Sequence, residues 1–440
     1  MQDRKVVIVG AGIGGLAAGY RLQQRGFEVE VLEASDRPGG RMMTLERKGD
    51  RVDVGAQFYH TNGRYGLELI DAMGMGGSKR RTAGNKAQYA LKNGSAYVHD
   101  PHAPYAKLFG LKGNLNLYAF ILRYVIFGRR FPDYGITVDI PEYDNTSIVD
   151  LYRSPSDRAF LDYLVTPLAM GSMIARPEWM SLYHYIRMFR STLAASLLSL
   201  TRGISSLAEE VARRLPVRYE APVQRLVMEK GRVVGVEMAG DGSVRKAGHV
   251  IVATTPAAAA PLLPDELEEQ RRFLASVLYT PIPMAVFFLD RPLRKDVLFY
   301  FTDPGLRTNY TFAINEQAKA PEMFPSGKSA VTGWAVYPTS SGLMKESDAE
   351  ILNKAKEDME LMIPGISGWT EEARVVRHPF VNALFTPGAH RAILDFIEQA
   401  KRLRGVSFVS CVLSGSGMEA AVRSAEAAVQ RICGWGGGCP

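Results

Sequence analysis

The sequence predicts an α/β fold in which a Rossmann-like parallel sheet is interleaved with a second, α+β domain. Three observations predict it. The chain opens on KVVIVGAGIGGLAAGYRLQQRGFEVEVLEAS, a β-branched run, a glycine-rich turn, a helical period and a second strand that ends on an acid. It closes on GVSFVSCVLSGSGMEAAVRSAEAA, again an apolar run, a Ser/Gly turn and an Ala-rich helix. Between them stands EAPVQRLVMEKGRVVGVEMAGDGSVRKAGHVIVATTP, a strand, a hairpin and a further strand. At 440 residues the chain exceeds one simple core, so two domains are expected.

In the opening unit each position has a physical task. Gly10, Gly12 and Gly15 have GxGxxG spacing. Gly10 permits the turn, Gly12 lets a pyrophosphate approach the backbone, and Gly15 packs helix on strand. Ile13 and Gly14 open the helix between them. Glu33, followed by Ala34 and Ser35, ends the second strand where a carboxylate can accept ribose hydroxyls. A dinucleotide ligand follows. The next stretches favour FAD over a nicotinamide cofactor. DRPGGRMMT adds Gly39, Gly40 and Arg41, a second set of phosphate contacts that a longer cofactor needs. RVDVGAQFYH ends a strand on Gly55 and Ala56, small enough to lie against an isoalloxazine ring, followed by Gln57 and Phe58. Taken alone, Gly55 and Ala56 read as an ordinary turn.

GAGIGGLAAGYRL, LEASDRPGGRM and DVGAQF resemble the first three flavin-contact segments of the flavin-containing amine oxidase superfamily, which includes protoporphyrinogen oxidases and phytoene-desaturase-like enzymes. The resemblance implies a GR2-type FAD-binding domain. It also implies that Val223 meets the adenine end through its backbone and that Thr254 lies near the pyrophosphate. In these families the C-terminal segment carries a Gly-Asp pair before the helix. Here Ser410 and Cys411 stand in that place, while Gly417 and Met418 fit the helix start, which would face the flavin. Three readings stay open: backbone N–H groups hold the phosphates with help from the Ser410 hydroxyl, Cys411 is covalently tied to the cofactor, or flavin binding is weakened or lost. FVSCVL is expected to be a continuous strand that brings Cys411 beside the diphosphate.

The flavin segments place the FAD-binding domain at 1–65, 203–255 and 391–440, and the substrate domain at 66–202 and 256–390. The first insert is expected to be helical, and its VTPLAMGSMIARPEWMSLYHY resembles the region of protoporphyrinogen oxidases in which a P-x-x-x-G turn precedes a helix that begins near a serine. The second carries strand-like runs, PMAVFFLDRPL, LFYFTD, NYTFAINE and SAVTGWAVYP, expected to form a sheet over a cavity. Tyr59, His60, Trp334 and Tyr337 are the candidate substrate contacts. For His60 a satisfied surface histidine and for Trp334 and Tyr337 core packing are the plainer readings. Many amine oxidases carry a lysine on the first strand of the second insert; YTPIPMAVFFL has Pro283 and Met284 there. That favours a desaturase or protoporphyrinogen-oxidase-like reaction over amine oxidation. No catalytic residue is assigned.

The composition, 46% apolar and 22% charged with net charge +7, is that of a folded protein. No nucleic-acid-binding motif is present. The three cysteines and seven histidines form no CxxC or HExxH, so no metal site is expected. A disulfide between Cys433 and Cys439 is conceivable, with a mobile Gly-rich tail the plainer expectation. The N-terminal run does not resemble a signal peptide, which points to the cytoplasm. LNLYAFILRYVIFGRRF at 115–131 is interrupted by Arg123. It reads as a core helix or as a peripheral membrane contact. The expected partners are a hydrophobic small-molecule substrate and oxygen or a quinone as reoxidant. The sequence leaves the oligomeric state open.

Overall fold

The computed structural model describes residues 4–101, 103, 106–128, 139–193 and 195–435. A five-stranded parallel sheet has the order Val217–Arg218, Glu28–Leu32, Lys5–Val9, His249–Val252, Val406–Phe408. Successive side chains of its central strand point to opposite faces. Val6 and Ile8 pack under helices Ile13–Gln23 and Gly417–Trp435. Val7 and Val9 pack against the antiparallel layer Val223–Glu229, Arg232–Met238 and Val244–Lys246. Both faces are thus covered, which is why the strand is apolar after Lys5.

The second sheet has seven strands, ordered Thr370–His378, Ile282–Leu289, Ser329–Ala335, Tyr310–Asn315, Val297–Thr302, Lys86–Ala90, Ala96–His99. It differs from the expected sheet over a cavity. Strand Ile282–Leu289 is buried along its whole length. Met284, Val286 and Phe288 enter one core, while Ala285, Phe287 and Leu289 enter another with helix Asp348–Met362. The unbroken apolar run PMAVFFL already carries that two-sided pattern.

The first insert is not wholly helical. Lys86–Ala90 and Ala96–His99 form a hairpin that joins the large sheet, and Leu197–Leu200 pairs with Tyr59–His60 and Lys79–Arg81. Asn93-Gly94 in the hairpin is the local signal for it. Nor is P-x-x-x-G a turn. Pro167 sits in the first turn of helix Thr166–Met173, where a missing N–H is tolerated, and Gly171 lies inside that helix. Helix Leu182–Leu193 follows Ser181. The 115–131 segment lies on helix Gly110–Phe120, continued by a wider turn Ile121–Ile126. Residues 129–131 and Cys439 fall outside the described residues, and with Cys439 the conceivable Cys433–Cys439 disulfide; Cys411 is a buried free thiol. Among the described residues no helix is long and apolar enough to cross a membrane, and no cluster of metal-ligating side chains forms.

Candidate functional site

The glycine-rich turn divides into packing and open positions. Gly10 has φ +103°, and a Cβ there would stand 2.9 Å from Ala253 O and 3.1 Å from the Thr254 methyl. A Cβ on Gly15 would stand 2.1 Å from Gly10 O, and one on Gly14 would stand 2.9 Å from Val409. These three glycines let the first helix, the Thr254 turn and the C-terminal segment close on one another, with Ile13 buried in the same core. Gly12 differs. A Cβ there would meet nothing within 4 Å, and no side chain caps the helix it starts. Gly12 pairs with Gly39, and a Cβ on Gly40 would lie 3.7 Å from Gly12 Cα. Bare backbone with free helix N–H groups is an anion cradle.

Glu33 stands beside this cradle. Its Oε2 accepts from Ala11 N at 2.6 Å, and its Oε1 from Ser35 N at 3.0 Å and Ser35 Oγ at 2.8 Å. Ala34 and Ser35 are exposed. Ala221 N donates to Glu33 O and Glu220 N to Ser35 O, so the chain reaches Val223 directly beside the same edge. Because Glu33 shares its oxygens with the turn, Glu33→Ala is expected to lose about one charge-assisted hydrogen bond to the ribose. That is about 1.5–3 kcal/mol, roughly tenfold to a hundredfold in FAD affinity. Fluorescence titration of FAD checks it.

Arg41 lies at the other end. Nη1 donates to Val381 O at 2.9 Å, Nη2 stands 3.6 Å from Cys411 Sγ, and the guanidinium lies over the Tyr279 ring. None of these partners is a carboxylate. Burial works against its charge, but Cys411 and Tyr279 hold its pKa above the ordinary value. A second side of the cradle closes on its backbone. Ala56 N donates to Arg41 O at 3.0 Å, and a Cβ on Gly55 would fall 2.0 Å from that oxygen. The two segments predicted to touch the flavin are therefore held edge to edge. Arg41→Met is expected to weaken FAD roughly tenfold to a hundredfold, with a separate loss of folding stability of about 1–3 kcal/mol because Val381 O loses its donor. Paired FAD titrations and urea melts separate the two.

The C-terminal approach is not the expected strand. Val406–Phe408 ends before Cys411, which begins the short turn Cys411–Leu413. Ser410 causes the break: its Oγ accepts from Val412 N at 3.3 Å and its N–H donates to Ser424 Oγ at 3.1 Å. Cys411 is buried, with its thiol toward Arg41. Gly417 has φ +82° with open space where a Cβ would be, and Met418 is buried beside it in the core. The sequence does not reveal the role of Glu419. Its carboxylate accepts from Arg64 N, Tyr65 N and Gly66 N at 2.8, 2.8 and 2.7 Å, capping helix Tyr65–Ala72.

The substrate-side candidates part company. Phe58 meets Phe299 edge to face, with ring centroids 6.0 Å apart. Tyr59, the next residue, points to the opposite face and is buried with Leu69 and Met418. Period-two alternation forbids both from lining one wall. His60 pairs with Leu197, and burial lowers its pKa. Trp334 is a core residue, stacked on Phe312 at 5.7 Å with Nε1 donating to Thr332 Oγ1. Tyr337 meets Trp179 edge-on at 4.9 Å.

Gln57 turns inward, where sequence reasoning saw nothing. Its Nε2 donates to Asp53 O at 2.7 Å and its Oε1 accepts from Lys319 Nζ at 2.7 Å. Lys319 is fully buried, 3.0 Å from Asp53 Oδ2 and 2.5 Å from Glu316 Oε2, both fully buried too. Burial opposes the Lys319 charge, yet Asp53 and then Glu316 hold its pKa above the ordinary value. Burial pushes Glu316 up, against the pull of Lys319. Pro283 and Met284 do lie buried in the strand without a lysine, so this ammonium comes from a different element, the turn Glu316–Lys319.

The residues present fit FAD. A carboxylate for the ribose, bare glycine backbone and a guanidinium without a carboxylate partner follow one another along one cradle, as adenosine and diphosphate require. Gly55 and Ala56 continue it. FAD is the cofactor this site takes. Comparison with known proteins agrees. The family model described as flavin containing amine oxidoreductase matches residues 13–433. Protoporphyrinogen oxidase 2 of Arabidopsis thaliana is 23% identical over 184 residues, 42% of this chain and 35% of that protein. Hydroxyneurosporene desaturase of Cereibacter sphaeroides is 27% identical over 301 residues, 58% of this chain and 57% of that protein. The chain thus spans between about a third and just over half of these relatives' lengths. A structure of putrescine oxidase bound to putrescine superposes with TM-score 0.74 at 16% identity, covering 98% of this chain and 99% of that one. At that identity the likeness concerns the fold. With nearly its whole length matched, the chain belongs to the flavin containing amine oxidoreductase family.

Proposed function

We propose that this protein removes two electrons, as hydride and proton, from a hydrophobic small molecule in a protoporphyrinogen-oxidase-like or desaturase-like reaction, with oxygen or a quinone as reoxidant. Bound FAD supplies the hydride acceptor. The chain's own residues bind and orient. Glu33, Gly12, Gly40 and Arg41 hold the cofactor's polar length. The observation that carries the choice of substrate class is the wall beyond Gly55 and Ala56. Half-buried Phe58 and Phe299 begin an aromatic run there that continues into the core through Phe301 and Tyr89. Asp53 and Glu316, beside Phe58, are committed to Lys319, so neither is available to receive a substrate ammonium. Such a wall suits an apolar substrate.

Amine or C–N oxidation is the second reading, favoured by the fold shared with putrescine oxidase. Retention of the fold without stable flavin, for binding or isomerisation, is the third, because Ser410 and Cys411 replace the family's Gly-Asp pair. Anaerobic mixing with polyenes, porphyrinogens and amines tests all three. Bleaching of the flavin absorbance by polyenes or porphyrinogens is expected. Bleaching by amines alone, with peroxide release in air, would favour the second, and a colourless protein the third.

A further inference from the structure

The helix Gly110–Phe120 and its continuation Ile121–Ile126 have two apolar faces. The inner one is ordinary. Phe120 and Tyr124 are buried, with Phe120 packed edge-on against Tyr185 and Phe189 at 5.6 and 5.1 Å. The outer one is not. Leu111, Leu115, Tyr118, Leu122, Ile126 and Phe127 are each between 48% and 80% exposed. Spacings of three and four residues put the first five on one stripe of the helix, and Phe127 follows at its end. Scattered exposed apolar side chains are common, but a contiguous row of this length marks a docking surface.

Charge identifies what docks. From residue 101 to 131 the sequence holds no acid and five bases, Lys107, Lys112, Arg123, Arg129 and Arg130. Lys107, Lys112 and Arg123 are exposed beside the apolar stripe. Among the described residues, Lys112 has an acidic neighbour, Asp157 at 4.0 Å. An apolar stripe flanked by bases is the pattern of a helix lying in the plane of an anionic lipid surface, stripe down, with bases at the phosphate level. A second copy of the chain fits poorly, because it would set two basic rims and two net charges of +7 against each other. We infer that this helix docks the protein on anionic membranes. The inference is independent of the proposed chemistry.

Flotation of the purified full-length chain with vesicles tests it, using phosphatidylcholine alone and phosphatidylcholine with phosphatidylserine, at low and high salt. The variants are Leu115→Ser with Phe127→Ser, and Lys107→Gln with Arg123→Gln. All four positions are exposed, so unchanged melting curves control for folding. The expected result is co-flotation with anionic vesicles only, weakened by salt. The apolar pair should lower vesicle affinity at least about tenfold, and the basic pair should lower it on anionic vesicles. Absence of wild-type flotation with anionic vesicles at low salt would overturn the inference. So would apolar-pair flotation equal to wild type. A wild-type dimer that the apolar pair converts to monomer, with no lipid binding, would assign the face to a second copy instead.

Discussion

Lys319→Met is expected to destabilise the folded protein by about 3–5 kcal/mol, the usual cost of leaving buried charge without its partner. Lys319, Asp53 and Glu316 are all fully buried. Asp53 Oδ1 keeps Thr44 Oγ1 at 2.6 Å and Ile204 N at 2.8 Å, and Glu316 Oε1 keeps Thr332 Oγ1 at 2.8 Å. Those bonds satisfy one oxygen of each carboxylate, but they do not neutralise two anions. Glu316, already pushed up by burial, should take a proton in the variant, so adding Glu316→Gln should recover part of the loss. Such a loss approaches the whole stability of many domains. Urea denaturation reads it directly. A loss under about 1 kcal/mol would mean that the lysine is not the counter-ion this geometry makes it. The consequence extends to the cofactor, since Gln57, which Lys319 holds, lies two residues beyond Gly55.

Acid should unfold the protein well before its carboxylates titrate. Three histidines, His184, His249 and His390, are at most 5% exposed. Burial, then the Arg187 charge, pushes His184 down to about 3. Burial, then Arg431 and Arg232, does the same to His249, again to about 3. Burial, then His184 and Arg187, holds His390 well below its ordinary value. His184 lies flat on Phe385 at 4.1 Å, and His390 is 5.7 Å from it. Neither ring nitrogen of either histidine has a hydrogen-bond partner among the described residues. The unfolded chain binds these protons below about pH 6.5 and the folded one does not, so stability is present above that pH and falls as pH drops toward 3. Each histidine should remove about 1 kcal/mol between pH 6.5 and 5.5, and the three together about 3. His184→Phe, which keeps the stack, should reduce the slope by about a third. Urea midpoints across that range check it; a flat profile, or an unchanged slope in the variant, would contradict it.

The strand–turn–helix units were legible because their causes are local. Glycine spacing, β-branched runs and an acid at a strand end are all read within about 30 residues. The hairpin at Asn93-Gly94 and the two-sided burial of Ile282–Leu289 are legible too, through a turn dipeptide and an unbroken apolar run. Tyr59 could have been separated from Phe58 by alternation alone. Lys319 could not. Its partner Gln57 lies 262 positions away, and AINEQAK has the look of any solvated turn. The same holds for Arg41 against Val381 and Cys411, 340 and 370 positions apart. Local pattern places a backbone, whereas the pairing of charges between distant segments depends on tertiary closure.

The account rests on a cradle that holds FAD from Glu33 through Arg41 to Gly55, and the flavin content of the purified chain tests it most directly. Protein saturated with FAD, freed of excess by dialysis and then denatured should release about one FAD per chain. Glu33→Ala and Arg41→Met should each release much less after the same dialysis, while remaining folded. A folded wild-type chain that releases no FAD, or variants that retain it as well as wild type does, would contradict the account.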